Sequence, residues 1–296
     1  MKSFPFKKIN AFTQGLSGGN PCACVYLNCI NDISEQEMQL IARELKGFVN
    51  EVVYLFPEEK YFSLRYYSAE CEVDFCGHGT IGIMYDLIKS RRDLVAQHII
   101  KIRVQNEYLS IYNKIKDSDS IFITAPAPRY NRLDIKKENI ARALNIKPEE
   151  ISNTAEPELI NAGLNTLIVP LEGLSICLEM IPDQIQLKTF CLNNGIDIIL
   201  VFTGEVTDQN NKYRTRVFAP KYGYLEDPAT GSGNSAFGNY LMKNGLWKGD
   251  GLSIEQNNSH DFPNIVKLDT VREDSAKKIL FGGSAVVKIQ GEYKLS

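Results

Sequence analysis

The sequence has no large excess of either charge and no long hydrophobic run. Its 296 residues carry a formal net charge of −3, and the longest apolar run, residues 196–202, is interrupted by Asp197. That run is far shorter than the roughly 20 apolar residues of a membrane-spanning helix. The N-terminus also lacks the apolar segment of a secretory signal. We therefore expect a cytoplasmic protein that binds neither nucleic acid nor membranes.

Sequence patterns typical of metal sites are missing as well. The chain has only three histidines, and none of its seven cysteines forms a C-x-x-C pair. Cys22 and Cys24 lie two residues apart in an apolar, strand-like run, so both are expected to face the core. We therefore expect no bound metal, no redox pair and no other cofactor.

The sequence does contain many short segments typical of β-strands, with a few helices between them. Ser34 and Glu37 form a capping box, which predicts a first helix with Met38, Ile41 and Leu45 on its apolar face. Two further helices are predicted at 184–194 and 232–244. Runs rich in β-branched and aromatic residues predict strands at 51–56, 62–67, 98–105, 107–112, 120–125, 165–170, 197–203, 214–219, 252–256, 264–269 and 284–290.

The two halves of the chain repeat one order of elements: a strand, an acidic loop, a G-x-G turn and a helix of small residues. A proline-containing stretch, residues 125–128, separates the halves. We predict two lobes, 1–126 and 127–283, with a last strand near 284–296 that crosses back to the first lobe. The active-site cleft is expected between the lobes.

The two G-x-G turns are candidate substrate-binding elements. Gly77 and Gly79 flank one turn, and Gly231 and Gly233 flank the other. Each turn precedes a predicted helix, whose first N–H groups and positive dipole end attract an anion. Glycine lets that backbone approach a ligand closely. The repeat favours a carboxylate-binding site over the alternative that these glycines only form turns and caps.

Four polar side chains near these turns are candidate catalytic groups. His78 and Ser232 lie within the turns, Asp227 precedes the second turn, and Glu51 begins an apolar strand. A carboxylate at that strand is expected to be partly buried, which suits a general acid or base. Two alternatives remain open: Glu51 as a solvent-facing strand end, and Asp227 as a cap of the helix start.

Three segments resemble the signatures of the PhzF (phenazine-biosynthesis) family: NEVVYL at 50–55, EVDFCGHGT at 72–80 and EDPATGS at 226–232. The resemblance implies an α+β fold of the diaminopimelate-epimerase type. Its two pseudo-symmetric lobes each consist of a curled β-sheet around a central helix.

The same resemblance implies a function, that of a cofactor-independent isomerase of a small carboxylic acid. In the family a glutamate moves a proton, and that glutamate falls on Glu51. The supporting histidine, aspartate and serine fall on His78, Asp227 and Ser232, and backbone N–H groups at Gly79 and Gly233 bind the substrate carboxylate. Homodimers are usual in the family.

The resemblance leaves the substrate and two other functions open. The segment 255–263 lacks the arginine-proline-serine ending common in the family, so the phenazine precursor is not assumed. The Cys76 segment, FCGHGT, also resembles the first motif of proline racemases, but Thr230 stands where their second cysteine is expected. The alternatives are an epimerase or dehydratase that uses Cys76 alone, and a non-catalytic protein that binds a small carboxylate.

Overall fold

The computed structural model describes residues 2–273 and 276–295. The elements of the first half are β1 (Lys2–Ala11), β2 (Asn20–Tyr26), α1 (Glu35–Glu44), β3 (Glu51–Pro57), β4 (Phe62–Ser68), β5 (Glu72–Val73), α2 (Gly77–Ser90), α3 (Arg92–Val95), β6 (Ile99–Val104), β7 (Glu107–Lys114), α4 (Ile115–Ser118) and β8 (Ser120–Thr124). Those of the second half are β9 (Arg129–Asn131), α5 (Lys137–Leu144), β10 (Glu158–Asn161), β11 (Asn165–Pro170), α6 (Leu174–Glu179), α7 (Gln184–Asn193), β12 (Ile198–Thr203), β13 (Tyr213–Phe218), β14 (Glu226–Asp227), α8 (Gly231–Lys243), β15 (Leu252–Gln256), β16 (Asn264–Glu273), β17 (Ala276–Gly283) and β18 (Ala285–Leu295).

The chain divides into two compact units. The first contains the described residues up to Thr13, then Gly19–Thr124 and those from Gly282 onward. The second contains Gln14–Gly18 and Ala125–Phe281. The first unit is therefore assembled from both ends of the described chain, and most of the second lies between them in sequence.

The sheet of the first unit follows the strand order β18-β1-β2-β3-β4-β6-β7-β8. The β2–β3 and β4–β6 pairs are parallel, and the others in this order are antiparallel. The two-residue strand β5 pairs with β4 and leads into α2. Because α2 contacts β1, β2, β3, β8 and β18, the sheet curls around this helix.

The second unit repeats this pattern in the order β9-β10-β11-β12-β13-β15-β16. Again β11–β12 and β13–β15 are parallel, and a two-residue strand, β14, pairs with β13 before the helix begins. Helix α8 contacts β10, β11, β12 and β16. The strand pairing therefore shows the predicted duplication. Sequence spacing alone indicated this duplication only weakly.

Both central helices are buried on nearly all sides, and this explains their small residues. A Cβ on Gly82 would lie 2.9 Å from Cys22 Sγ, and one on Gly231 would lie 2.4 Å from the Phe281 ring. Protein interiors are packed too tightly to accept such contacts without a shift of the backbone or neighbouring side chains. Across the described residues no helix combines the length and apolarity needed to cross a membrane.

The first predicted helix is confirmed in detail. The Ser34 hydroxyl accepts a hydrogen bond from the Glu37 N–H, and the Glu37 carboxylate accepts one from the Ser34 N–H. Met38 and Ile41 are buried. Cys22 and Cys24 are also confirmed as core residues, each fully buried. The sequence did not predict ten of the elements, namely α3, α4, α5, α6, β1, β5, β9, β10, β14 and β17.

Candidate functional site

In the first unit, three chemically active side chains meet where β3 begins and α2 begins. Glu51 is the first residue of β3, Cys76 is the N-cap of α2, and His78 lies in the first turn of that helix. Glu51 Oε2 lies 3.3 Å from His78 Nε2. Cys76 Sγ lies 3.6 Å from His78 Nδ1 and 3.8 Å from Nε2. Residues 25 or more positions apart in sequence are thus brought together by the packing of the helix against the strand.

These three side chains are only partly shielded from solvent. Cys76 is 5% exposed, whereas the side chains of His78 and Glu51 are 14% and 20% exposed. Among the described residues, Glu51 Oε2 has no aligned hydrogen-bond partner, so it meets His78 in an ion-pair contact only. The Oε2 atom itself is covered, so the cluster contains a buried carboxylate oxygen whose hydrogen-bonding capacity is unused.

The cluster changes the acid–base behaviour of His78 and Cys76. Burial lowers the pKa of His78, but the neighbouring Cys76 sulfur and Glu51 carboxylate outweigh it, and the pKa lies well above its ordinary value. Burial raises the pKa of the Cys76 thiol, although His78 opposes the shift. The raised pKa of His78 therefore favours an imidazolium in this cluster.

The first turn of α2 is held firmly in place. Thr80 Oγ1 donates to the Cys76 carbonyl at 2.7 Å, and Tyr66 Oη lies 2.6 Å from the same hydroxyl. The helical ladder begins with the Thr80 N–H bonding to the Cys76 carbonyl. The N–H groups of Gly77, His78 and Gly79 precede that bond, so they have no acceptor within the helix.

In the second unit, the start of α8 is surrounded by a network of hydrogen bonds. The Thr230 hydroxyl donates to Asp227 Oδ2, and Gln256 Nε2 donates to the Asp227 carbonyl at 2.9 Å. Gln256 Oε1 accepts from the Thr230 N–H at 3.0 Å and from Asn234 Nδ2 at 2.7 Å. Asp227 is 8% exposed, and Thr230, the N-cap of α8, makes no capping hydrogen bond with its own side chain.

The structure places Gly231, Ser232 and Gly233 in the first turn of α8, where their N–H groups precede the first helical bond, from Asn234 to Thr230. Ser232 is half-buried, whereas the two glycines are buried. Glu51, Cys76 and His78 are thus brought together in one unit, and Asp227 lies beside the helix start in the other. That His78 and Ser232 serve the same substrate stays a prediction.

Sequence reasoning missed two buried polar groups next to the second turn. Gln256 connects Asp227, Thr230 and Asn234, and its neighbour Glu255 pairs with Arg214. The available signal was a Glu-Gln pair that ends an otherwise apolar strand. Polar residues at such a position need buried partners, which an arginine and a threonine supply here.

The Arg214–Glu255 pair is fully buried and fully hydrogen-bonded. Arg214 Nη2 lies 2.8 Å from Glu255 Oε2, and both side chains are 0% exposed. The backbone N–H groups of Thr207 and Asp208 donate to the carboxylate at 3.0 and 2.8 Å, and Asn211 adds a bond of 2.9 Å. These bonds explain how an isolated pair of charges is stable in the core.

Known protein structures define the class of fold. The chain resembles a PhzF-family protein from Bacillus anthracis with a TM-score of 0.85 and 24% identity, over 100% of both chains. It also resembles a probable proline racemase from Agrobacterium radiobacter with a TM-score of 0.61 and 11% identity, over 99% of this chain and 93% of that one. The predicted fold class, an α+β fold of the epimerase and racemase type, is confirmed.

The family follows from the sequence itself. The profile of the phenazine biosynthesis-like (PhzC-PhzF) family matches residues 9–291, and the chain belongs to that family. It is 27% identical to "Uncharacterized isomerase YfhB" of Bacillus subtilis over 97% of both chains. It is 30% identical to "Antisense-enhancing sequence 1" of Schizosaccharomyces pombe over 81% of both chains.

Proposed function

We propose that this protein is a cofactor-independent isomerase that moves a proton on a small carboxylic acid, with Glu51 as the proton carrier. The observation that carries the proposal is the Glu51 side chain, which is 20% exposed. Its covered Oε2 atom lies 3.3 Å from His78 Nε2 and has no aligned hydrogen bond among the described residues. Family membership and relatives named as isomerases support the reaction class.

In this mechanism Glu51 removes a proton from one carbon of the substrate and returns a proton to another. The atoms and electrons balance, since the product is an isomer and nothing is oxidised or reduced. The charge that develops on the substrate needs a positive or dipolar partner in a partly dry site. His78, which is charged at neutral pH, and the N–H groups at Gly77 and Gly79 supply that stabilisation in the first unit.

We assign the second helix start a supporting role in the same reaction. The N–H groups at Gly231 and Gly233 and the Ser232 hydroxyl are donors for the substrate's polar groups. Asp227 orients them, because the Thr230 hydroxyl and Gln256 hold its position. The proposal needs the substrate to be a carboxylate, since helix starts favour anions.

Cys76 is the competing proton carrier, as in a racemase-like reaction. Its burial and raised pKa argue against this role, because the thiolate rather than the thiol is the reactive base. Cys76 then packs beside the first turn and leaves proton transfer to Glu51.

The test is exchange of substrate hydrogen with deuterated water, followed by NMR over a panel of small carboxylic acids. The panel includes dihydro-hydroxyanthranilate and proline. Glu51→Gln should slow exchange by about 10²–10⁴-fold, the usual cost of removing a positioned acid–base group. Cys76→Ala should change it by less than about 10-fold. The reverse pattern supports the racemase-like reaction, and binding without exchange by the wild-type protein supports a non-catalytic carboxylate-binding protein.

We also propose that the protein forms a homodimer, as is usual in the family. Light scattering after size-exclusion chromatography measures the mass in solution. A mass of one chain at every concentration would contradict it.

A further inference from the structure

The cluster at the start of α2 combines three kinds of metal-ligating atom. Glu51, Cys76 and His78 each offer one ligand atom, and the three atoms lie within 4.8 Å of one another. Across residues 2–273 and 276–295 this is the only such group of three. Sequence spacing did not predict it, because Glu51 comes from a different element than the other two residues.

The separations between these atoms are close to those of a zinc site. Zinc binds sulfur at about 2.3 Å and nitrogen or oxygen at about 2.0–2.2 Å, so tetrahedral ligands lie about 3.3–3.7 Å apart. Glu51 Oε2 and His78 Nε2 are 3.3 Å apart, and Cys76 Sγ is 3.8 Å from Nε2. The third separation, between Cys76 Sγ and Glu51 Oε2, is at most 4.8 Å, so these two side chains have to approach each other by no more than about 1 Å.

One side chain has to turn before an ion can bind. Cys76 Sγ lies at nearly equal distances, 3.6 and 3.8 Å, from the two ring nitrogens of His78. The imidazole must therefore rotate about its Cβ–Cγ bond to aim Nε2 between the sulfur and the carboxylate. This torsion is broad and soft for histidine, so the cost is small.

Two further observations favour a ligand here over a closed packing cluster. Among the described residues, Glu51 Oε2 lacks an aligned hydrogen bond, and the side chains of Glu51 and His78 are partly exposed. A covered carboxylate oxygen without an aligned donor is costly, and a bound ion would satisfy it. Three protein ligands also leave a fourth position open. One sulfur and one nitrogen ligand favour zinc over magnesium or calcium, which prefer oxygen alone.

We propose that Glu51, Cys76 and His78 bind one zinc ion, and that this ion inhibits the enzyme. Binding releases the protons of the Cys76 thiol and the His78 imidazolium to solvent, and no electron is transferred. The ion occupies the carboxylate oxygen that otherwise carries the proton. The inhibition rests on the proposed function, whereas zinc binding itself does not.

The experiment titrates metal-free, full-length protein with zinc in competition with a chromophoric chelator. One zinc per chain is expected, and a large excess of magnesium should not displace it. Cys76→Ser and Glu51→Gln should each weaken binding by at least about 10-fold. The matched control is Cys71→Ser, which changes an exposed cysteine outside the cluster and should leave zinc binding and activity unchanged. Circular dichroism of each variant confirms that it is folded.

Cobalt provides a second readout that does not depend on activity. Cobalt in place of zinc should give a sulfur-to-cobalt charge-transfer band that disappears in Cys76→Ser but not in Cys71→Ser. Zinc binding that survives both Cys76→Ser and Glu51→Gln would overturn the proposed site, as would no binding at all. If zinc binds at the cluster and proton exchange continues unchanged, the site stands and the role of Glu51 is wrong. If zinc does not bind but Glu51→Gln abolishes exchange, the proposed function stands alone.

Discussion

The two central helices begin with nearly the same backbone and very different chemistry. Cys76, the N-cap of α2, has φ −128° and ψ 105°, and Thr230, the N-cap of α8, has φ −126° and ψ 111°. In the first unit this position adjoins an imidazole and a carboxylate with an oxygen that accepts no aligned hydrogen bond from the described residues. In the second it adjoins the Gln256 and Asn234 amides and the Asp227 carboxyl group, which are joined by hydrogen bonds to Thr230 or to one another.

The comparison separates what the fold requires from what the chemistry requires. The strand pairing and the buried helix set the backbone, so both copies keep it. The side chains at the helix start are less constrained, and they have diverged into a reactive cluster and a rigid one. Stability and reactivity should therefore respond differently to mutation in the two units.

The largest expected effect is on the stability of the second unit. Glu255→Gln should lower the free energy of unfolding by about 3–5 kcal/mol, because Arg214 is left buried without a counter-charge. The new amide also faces N–H groups of Thr207 and Asp208 that need an acceptor. Urea denaturation measures the loss.

A double variant tests the reason for that loss. Replacing Arg214 and Glu255 together by methionine removes both charges, and it should recover much of the stability that Glu255→Gln loses. Equal destabilisation by both variants would mean that the pair is not the cause.

The same pair predicts how stability depends on pH. Burial raises the pKa of the Glu255 carboxyl, but hydrogen bonds from Thr207, Asp208 and Asn211 and the charge of Arg214 outweigh it, so the pKa is lowered. This contribution is complete above the unfolded-state pKa of about 4.3, and it is lost as pH falls through the lower folded value. The midpoint of urea denaturation should decrease as the pH is lowered through that acidic range. It should decrease less in the double variant.

A smaller effect is expected at the second helix start. Thr230→Val keeps the shape but removes the hydroxyl that bonds to Asp227 and Gln256, which should cost about 1–3 kcal/mol. Thr189→Val removes an exposed helical hydroxyl and should change stability by less than about 0.5 kcal/mol. Equal midpoints for the two variants in urea would show that the Thr230 network is not stabilising.

At the first helix start the Glu→Gln substitution should have little effect on stability. Glu51→Gln should change the free energy of unfolding by less than about 1 kcal/mol, because Glu51 makes fewer stabilising bonds than Glu255. Calorimetry on the two matched variants checks this contrast. A loss for Glu51→Gln as large as that for Glu255→Gln would mean that the first cluster is structural.

No loss of activity is expected from removing metal. Proton exchange should be unchanged after exhaustive treatment with a chelator, or should rise if zinc was bound at the cluster, because the proposed reaction uses only side chains and backbone N–H groups. Activity that falls with the chelator and returns with a divalent ion would contradict both proposals. It would show that the enzyme needs a metal for activity and that the metal does not inhibit it.

Local sequence patterns predicted much of the fold, and contacts between distant elements account for what they missed. The capping box of Ser34 and Glu37 acts within one turn of helix, so the sequence predicts it and the structure confirms it. The short strand β10 has only four residues and depends on its neighbours β9 and β11, so it carries little local signal. The sequence therefore predicts best those elements that carry a local signal of their own.

The candidate site divides in the same way. Motifs selected Glu51, His78 and Asp227, but they did not show that Cys76 Sγ lies beside the imidazole or that Gln256 connects the second turn. Those contacts depend on how a helix packs on a strand of another segment. No local spacing encodes that packing.

The pairing of β1 with β18 has a consequence for synthesis on the ribosome. Lys2 pairs with Leu295 and Ala11 with Ala285, so the first strand to emerge lies alongside the last. Residues 125–281 of the second unit have already left the ribosome by then and can begin to fold. Until β18 is made, the first unit has an unpaired sheet edge at β1, so its sheet is completed after that of the second unit. This later unit is the one that contains Glu51, Cys76 and His78.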